Sequence, residues 1–176
     1  QAAPRVLAKD AVARCGIVLA EEAGPVERHA ADELARYLGQ VSGARVTIQT
    51  TPQSDAFPIY LGTLDSRIPL SAAITARAAL VAPQGFLLAV GDDGARILGR
   101  QPIGVLYGVY HLLKTTAGLR WFAPGAEFEY CPQTTTLTIA DQLTVSNPSF
   151  RYRTTGFVCC NWNSKTLDTW DWLVRN

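Results

Sequence analysis

The spacing of apolar residues predicts a strand and then a long helix near the start of the chain. Residues Cys15–Ala20 form a short apolar run, which is typical of a strand covered on both faces. Gly24-Pro25 predicts a helix start, because proline is favoured at the first helical position, and Ser42-Gly43 predicts its end. The helix has one apolar face at 3.6-residue periodicity, made of Val26, Ala30, Leu34, Tyr37, Leu38 and Val41.

The alternation of strands and helices continues through the middle of the chain. Two further strands are predicted at Arg45–Gln49 and Pro58–Gly62. Residues Leu64–Ala82 are ambiguous, with Ala72–Val81 as a candidate short helix. One more strand-like stretch lies within Tyr130–Ile139.

A hairpin and a second main helix follow the ambiguous stretch. Gly85–Val90 and Ala95–Gly99 are apolar runs joined by Gly91-Asp-Asp-Gly94, and Asp and Gly readily adopt the positive φ angles of tight turns. A calcium loop at this turn would need further spaced oxygen ligands and a terminal glutamate, which the sequence does not supply. The buried face of the helix is marked by Val105, Val109, Leu112 and Thr116.

These elements predict an α/β (α+β) fold with a small mixed sheet covered by two main helices. Asn147-Pro148 marks a domain boundary, so that 1–146 forms one α/β domain and 147–176 begins another. In the second segment Leu167, Trp170, Leu173 and Val174 recur at helical spacing. Because that pattern reaches Asn176 without a stop signal, we expect a longer protein to continue from there.

Composition and charge exclude several classes of function. The chain has 176 residues, is 48% hydrophobic and carries a formal net charge of +1, which provides no broad basic field for nucleic acid. No apolar stretch approaches the roughly 20 residues that span a bilayer. The four cysteines, Cys15, Cys131, Cys159 and Cys160, match no zinc-ligand spacing. Buried free thiols are the favoured interpretation, and a Cys15–Cys131 bridge stays open for an exported protein.

Candidate catalytic groups are sparse. The first strand-to-helix connection lacks a glycine-rich phosphate loop, so no nucleotide or other cofactor is expected. The two histidines, His29 and His111, each fall within a predicted helix. The carboxylate pairs Asp32/Glu33 and Glu127/Glu129 are local, with no sign of the cleft that glycoside hydrolysis requires. We therefore assign neither a catalytic residue nor a metal site.

The order of short motifs resembles a known domain. The motifs are the helix segment Ala30–Leu38, the glycine-punctuated helix Gly104–Leu113, and the turn Gly118–Gly125 with Trp121-Phe-Ala-Pro124. Over roughly residues 10–145 this order is similar to the non-catalytic N-terminal domain of family 67 α-glucuronidases, family 20 β-N-acetylhexosaminidases and related uncharacterised bacterial hydrolases.

The resemblance implies an accessory domain of a secreted or periplasmic bacterial glycoside hydrolase. Its partners would be its own C-terminal (β/α)8 barrel, which carries the catalytic acids, and the carbohydrate substrate. The α-glucuronidase branch, acting on plant polysaccharide, is favoured over the hexosaminidase branch. Trp121, Phe122 and Arg151 would lie at the domain interface, and Arg153 would bind a sugar hydroxyl or carboxylate. The alternative is that both arginines join the two domains through ion pairs.

A stand-alone carbohydrate-binding module is the alternative function. Aromatic side chains would then form the sugar-stacking platform, with Trp162, Trp170 and Trp172 as candidates. Packing in a core or between domains is the favoured role of these three tryptophans, because indoles bury a large apolar area. An autonomous enzyme is disfavoured by the missing nucleophile and acid pair.

Overall fold

A computed structural model describes residues 3–150 and 174–175 of the chain. Within that part the helices are α1 (Pro25–Ser42), α2 (Ala72–Ala78) and α3 (Pro102–Thr116). The strands are β1 (Arg5–Lys9), β2 (Val12–Ala13), β3 (Cys15–Leu19), β4 (Ile48–Gln49), β5 (Phe57–Thr63), β6 (Phe86–Gly91), β7 (Gly94–Gly99), β8 (Arg120–Trp121), β9 (Glu129–Tyr130), β10 (Thr136–Ile139) and β11 (Gln142–Ser146).

The main sheet is mixed and runs in the order β11-β6-β7-β5-β3-β4. Strands β4, β3, β5 and β7 are parallel, whereas β6 pairs antiparallel with β7 and β11 pairs antiparallel with β6. All five residues of β3 are buried, as expected for a strand with elements on both faces. The predicted mixed α/β fold is therefore confirmed.

Both faces of this sheet are covered. Alternate residues of β6 and β7 point to opposite faces, so that Leu88 and Ile97 face α1 and α3, whereas Leu87 and Leu98 face α2. A second sheet, β10-β1-β2, adds Leu7, Leu137 and Ile139 to the core on the side of α1 and α3. The larger hydrophobic core thus lies between the main sheet and these two helices.

The predicted limits of the first helix are confirmed, and its ends are stabilised as the sequence suggests. At its start the backbone N–H of Gly24 donates to Glu27 Oε2 at 2.8 Å, and Pro25 occupies the first turn. At its end Gly43 adopts φ 71°, a left-handed conformation that glycine takes without a steric penalty.

Glycine in α3 allows the helix to touch the sheet. A Cβ on Gly104 would collide with the carbonyl oxygen of Gly85, and one on Gly108 would lie 2.5 Å from Ile97 Cγ2. The glycine-punctuated pattern of this helix therefore has a packing cause: the missing side chains let the helix approach β6 and β7 closely.

Other parts of the sequence prediction need adjustment. The hairpin at Gly91–Gly94 forms as predicted, and the short helix is confirmed over Ala72–Ala78. Only Ile48–Gln49 of the predicted strand 45–49 pairs in the sheet. The turn between β1 and β2 escaped prediction, because Asp10 and Ala11 adopt positive φ angles of 52° and 59° without a glycine.

Several sequence predictions fall outside the described residues. They concern Arg151, Arg153, Cys159, Cys160, the tryptophans 162, 170 and 172, and most of the second segment, 147–176. In the described ranges, no helix is long and apolar enough to cross a membrane. There, Cys15 and Cys131 are free thiols, and burial raises the pKa of Cys15 to about 12.

Candidate functional site

A network of polar side chains lies where α1, α3 and the β8–β9 ribbon meet. Glu33 and Tyr37 are four residues apart on α1 and therefore share one face of the helix. Tyr110 comes from α3, whereas Trp121 and Glu129 lie opposite each other in the ribbon. The structure thus brings together side chains from three elements that are distant in sequence.

One half of the network links the ribbon to α1. The indole Nε1 of Trp121 donates to the hydroxyl of Tyr37 at 3.0 Å. That hydroxyl donates to Glu129 Oε1 at 2.9 Å. The same carboxylate oxygen accepts a hydrogen bond from Arg175 Nη1 at 2.8 Å.

The other half is centred on Glu33, which is 6% exposed. Its Oε2 accepts a hydrogen bond from the Tyr110 hydroxyl at 2.8 Å, and its Oε1 accepts two from Arg36 at 3.1 and 2.7 Å. Arg175 Nη2 lies 3.6 Å from Oε2, within ion-pair distance. Arg175 therefore joins the two halves through one guanidinium.

Aromatic rings enclose the network. The Trp121 ring is 3% exposed and packs edge-on against both Tyr37 and Tyr110, with ring centroids 5.4 Å apart in each pair. The guanidinium of Arg36 lies 3.9 Å from the centroid of the Tyr37 ring, which is a cation–π distance.

The charges of the network are balanced, because the carboxylates of Glu33 and Glu129 pair with the guanidiniums of Arg36 and Arg175. Burial raises the pKa of the Tyr110 hydroxyl, and the neighbouring charge of Glu33 raises it further. Burial likewise raises the pKa of Tyr37. Both hydroxyls therefore remain protonated hydrogen-bond donors throughout the physiological pH range, as holding a fixed geometry requires.

The carboxylates are arranged for structure and not for glycoside chemistry. A hydrolytic pair flanks a cleft that admits a sugar, and one member must be free to donate a proton. Here both carboxylates accept hydrogen bonds from neighbouring side chains, and Glu33 is buried. The arrangement binds a guanidinium and fixes α1, α3, the ribbon and residue 175 relative to one another.

The ribbon has a second face that points away from the network. Adjacent residues of a strand alternate in direction, so Phe122 and Tyr130 point opposite to Trp121 and Glu129. Phe128 lies beside them, since the backbone N–H of Phe122 donates to the Phe128 carbonyl at 3.1 Å. Phe122 is 69% exposed, Phe128 46% and Tyr130 55%. We call Phe122, Phe128 and Tyr130 the aromatic face.

The residues predicted for the domain interface thus lie in different settings. Trp121 is buried within this domain, whereas Phe122 lies on the aromatic face. Their interface role stays a prediction, as do the roles of Arg151 and Arg153 outside the described residues.

Other sequence candidates have structural partners. The Asp93 carboxylate accepts two hydrogen bonds from Arg96, at 3.1 and 2.7 Å. Asp93 is therefore paired with an arginine within the hairpin. His111 is half-buried against the ring of Phe86, and burial, aided by Lys114, lowers its pKa. Within residues 3–150 and 174–175 no group of three acidic, histidine or cysteine side chains is placed to hold a metal ion.

A cleft of about 380 Å³ lies at the C-terminal end of α1. It is lined by two surface turns and the end of the helix: Asp10, Ala11, Gln40–Gly43 and Gln133–Thr135. Its lining holds one carboxylate, that of Asp10, and therefore no acid pair.

Sequence reasoning missed the network, although one signal for it was present. Glu33 follows Ala30 by three residues and precedes Tyr37 by four, so a carboxylate falls on the apolar face of the predicted helix. A buried carboxylate needs a partner. No local pattern could identify Glu129 or Arg175 as members of the same cluster, because tertiary folding alone brings them there.

The chain is similar to one known protein family and to several solved structures. A family model described as glycosyl hydrolase family 67 N-terminus matches residues 7–112. Comparison with curated proteins found no match. A solved family GH115 4-O-methyl-α-glucuronidase with specificity for decorated arabinogalactans is 25% identical, with a TM-score of 0.60, and the match covers 84% of this chain and 19% of that protein.

Two hexosaminidases share the fold at lower identity. The GH20 β-N-acetylhexosaminidase of Streptomyces coelicolor A3(2) is 19% identical, with a TM-score of 0.58. The β-hexosaminidase of Streptomyces plicatus is 18% identical, with a TM-score of 0.56. Each match covers 87% of this chain but only 25% of the other protein. The fold described here is thus a small part of much longer enzymes.

Proposed function

Since the chain belongs to the glycosyl hydrolase family 67 N-terminus family, we propose that it is a non-catalytic accessory domain of a longer glycoside hydrolase. The catalytic acids would be carried by a (β/α)8 barrel that follows it in the same polypeptide. The domain would be inactive alone and would support the barrel. We further propose that 1–146 is the accessory domain and that 147–176 begins the barrel.

The observation that carries this proposal is the way in which the two clustered carboxylates are bound by neighbouring side chains. Glu33 and Glu129 are brought to one place by the described fold, and both are held by arginines and tyrosines. A pair bound in this way supports the position of a neighbouring segment and has no access to a glycosidic oxygen. Support, and not hydrolysis, is the role that such a network suits.

For the parent enzyme we favour α-glucuronidase-like hydrolysis of plant polysaccharide. The support for this choice is the family to which the domain belongs, together with the fold shared with a GH115 4-O-methyl-α-glucuronidase. Arg153 would contribute to the cleft, because a guanidinium binds the carboxylate of a uronic acid through two parallel hydrogen bonds. A polysaccharide cannot enter the cell intact, so the enzyme would be secreted or periplasmic.

Substrate assays on the polypeptide extended through its barrel test this choice. We expect release of the uronic acid from aldouronic acid substrates and aryl-glucuronides, and none of the sugar from aryl-hexosaminides. The opposite selectivity would assign the hexosaminidase-like alternative, for which the shared fold of the two Streptomyces enzymes is the support.

A carbohydrate-binding module is a second candidate, favoured by the three exposed rings of the aromatic face. Aromatic side chains stack on sugar rings, and such a surface would bind glycans without any barrel. Titrating the 176-residue chain with xylan and glucuronoxylan oligosaccharides distinguishes the two. Saturable quenching of tryptophan fluorescence would favour the module, whereas the accessory-domain proposal expects no response up to millimolar sugar.

A further inference from the structure

The β8–β9 ribbon is a short element with two unlike faces. Its inner face is fixed by the hydrogen bonds of Trp121 and Glu129 to Tyr37. On its outer side the three rings of the aromatic face are exposed. Exposed aromatic rings held on a rigid support are typical of the centre of a protein interface, where aromatic residues contribute much of the binding energy.

We propose that the aromatic face is a docking surface for the catalytic domain of the same polypeptide. This inference rests on the proposed function and names the partner surface that the accessory domain uses. Binding would bury the rings of Phe122, Phe128 and Tyr130, and the preorganised ribbon would lose little conformational freedom.

The position of residues 174 and 175 argues for this partner. Val174 packs against the hydrophobic core, and Arg175 binds Glu129 on the inner face of the ribbon. Residues 174 and 175, which follow the α/β domain in sequence, therefore contact that domain, and Arg175 contacts it at this ribbon. A domain continuous with that segment would start at the ribbon whose other side carries the aromatic face.

The length of the structural relatives points the same way. The matched region makes up 25% of the S. coelicolor hexosaminidase and 19% of the GH115 glucuronidase. In proteins of that construction most of the mass lies outside this fold, so a domain of sufficient size to cover the aromatic face would be present.

The surroundings of the aromatic face favour a protein partner over a sugar. Sugar-binding sites combine stacking rings with polar groups that fix the orientation of the ligand. Arg120 lies opposite Tyr130 on this side of the ribbon, and its Nη1 donates to the backbone carbonyls of Lys114 and Leu119 at 2.8 and 2.6 Å. Its guanidinium is thus used to hold the ribbon onto the end of α3.

Hydrogen exchange of the natural polypeptide, compared with the 176-residue chain, tests the proposal. We expect the backbone amides of residues 120–130 to exchange at least about ten-fold more slowly in the longer protein, because docking restricts local opening. Phe122→Ser combined with Phe128→Ser should abolish this difference. The matched control is Leu80→Ser, which replaces a side chain that is 58% exposed in the turn after α2, and it should leave the difference intact.

The outcomes separate failure of the docking proposal from failure of the proposed function. If the longer protein hydrolyses glucuronides but residues 120–130 exchange equally fast in it and in the 176-residue chain, the docking proposal is overturned and the proposed function stands. Slower exchange in the longer protein without any glycoside hydrolysis would instead count against the proposed function. Slower exchange in the 176-residue chain on adding oligosaccharide would overturn docking in favour of a sugar platform.

Discussion

Replacing Arg175 with methionine removes the guanidinium that joins the two halves of the buried network. Methionine keeps most of the side-chain length, so the change isolates the charge and its hydrogen bonds. Glu129 would lose its 2.8 Å partner and keep the hydrogen bond from the Tyr37 hydroxyl. Glu33 would lose the more distant 3.6 Å ion pair but retain Arg36 and Tyr110.

The magnitude follows mainly from the contact with Glu129. Removing one partner of a buried ion pair costs about 3–5 kcal/mol, because the other charge stays buried and unpaired. The side chains of Arg175 and Glu129 keep 17% and 18% of their surface exposed, so water partly compensates for the loss. We therefore expect the free energy of unfolding to fall by about 2–3 kcal/mol, which for a domain of this size lowers the melting temperature by roughly 5–10 °C.

Urea unfolding followed by far-UV circular dichroism measures this change. Arg45→Met is the matched control, because it removes an arginine from the exposed surface, and it should change the unfolding free energy by less than about 0.5 kcal/mol. A double-mutant cycle of Arg175→Met with Glu129→Gln then isolates the pair. We expect a coupling energy of about 1–2 kcal/mol between the two residues.

Two results would refute this reasoning. One is an effect of Arg175→Met no larger than that of the Arg45 control. The other is strict additivity of Arg175→Met and Glu129→Gln, which would mean that the ion pair does not stabilise the fold.

Three further predictions concern single positions. Tyr37→Phe removes the hydroxyl that accepts from the indole N–H of Trp121 and donates to Glu129, and we expect a loss of about 2 kcal/mol in urea unfolding. Gly104→Ala forces a methyl group against the carbonyl of Gly85, and we expect a loss of about 2 kcal/mol or more, measured in the same way. Cys15, whose pKa burial raises to about 12, should stay unmodified by iodoacetamide at pH 8 in the folded chain and react on unfolding, as read by peptide mass spectrometry.

Each of these predictions has a control in the chain. Tyr110→Phe removes a hydroxyl that donates to Glu33, and Glu33 keeps both hydrogen bonds from Arg36, so it should cost less than Tyr37→Phe. Gly91→Ala places its methyl group 3.7 Å from the nearest atom and should be milder than Gly104→Ala. Cys131 is partly exposed and should be modified faster than Cys15. Reversal of any of these orders would contradict the packing described here.

Much of the fold could be predicted from local sequence patterns. The apolar face of α1 and its Gly-Pro start and Ser-Gly end were sufficient to set both limits of that helix. The Gly91–Gly94 turn likewise set the β6–β7 hairpin. These features were predictable because neighbouring residues determine them, through periodicity, capping and the φ angles that glycine allows.

The elements that escaped prediction depend on distant parts of the chain. Strand β1 is completed by pairing with β10, and β11 joins the sheet by pairing with β6. The turn at Asp10-Ala11 lacks the glycine that normally marks a positive φ angle. The buried network is the extreme case, because Glu33, Glu129 and Arg175 meet only after the chain has folded.

Hydrolysis by the 176-residue chain, measured beside the polypeptide extended through its barrel, tests the central claim most directly. The substrates are aryl-glucuronides, aryl-hexosaminides and aldouronic acids. The accessory-domain account predicts turnover by the longer protein only. Turnover by the 176-residue chain itself, retained after Glu33→Gln and Glu129→Gln, would contradict the account and place a catalytic site elsewhere in this chain.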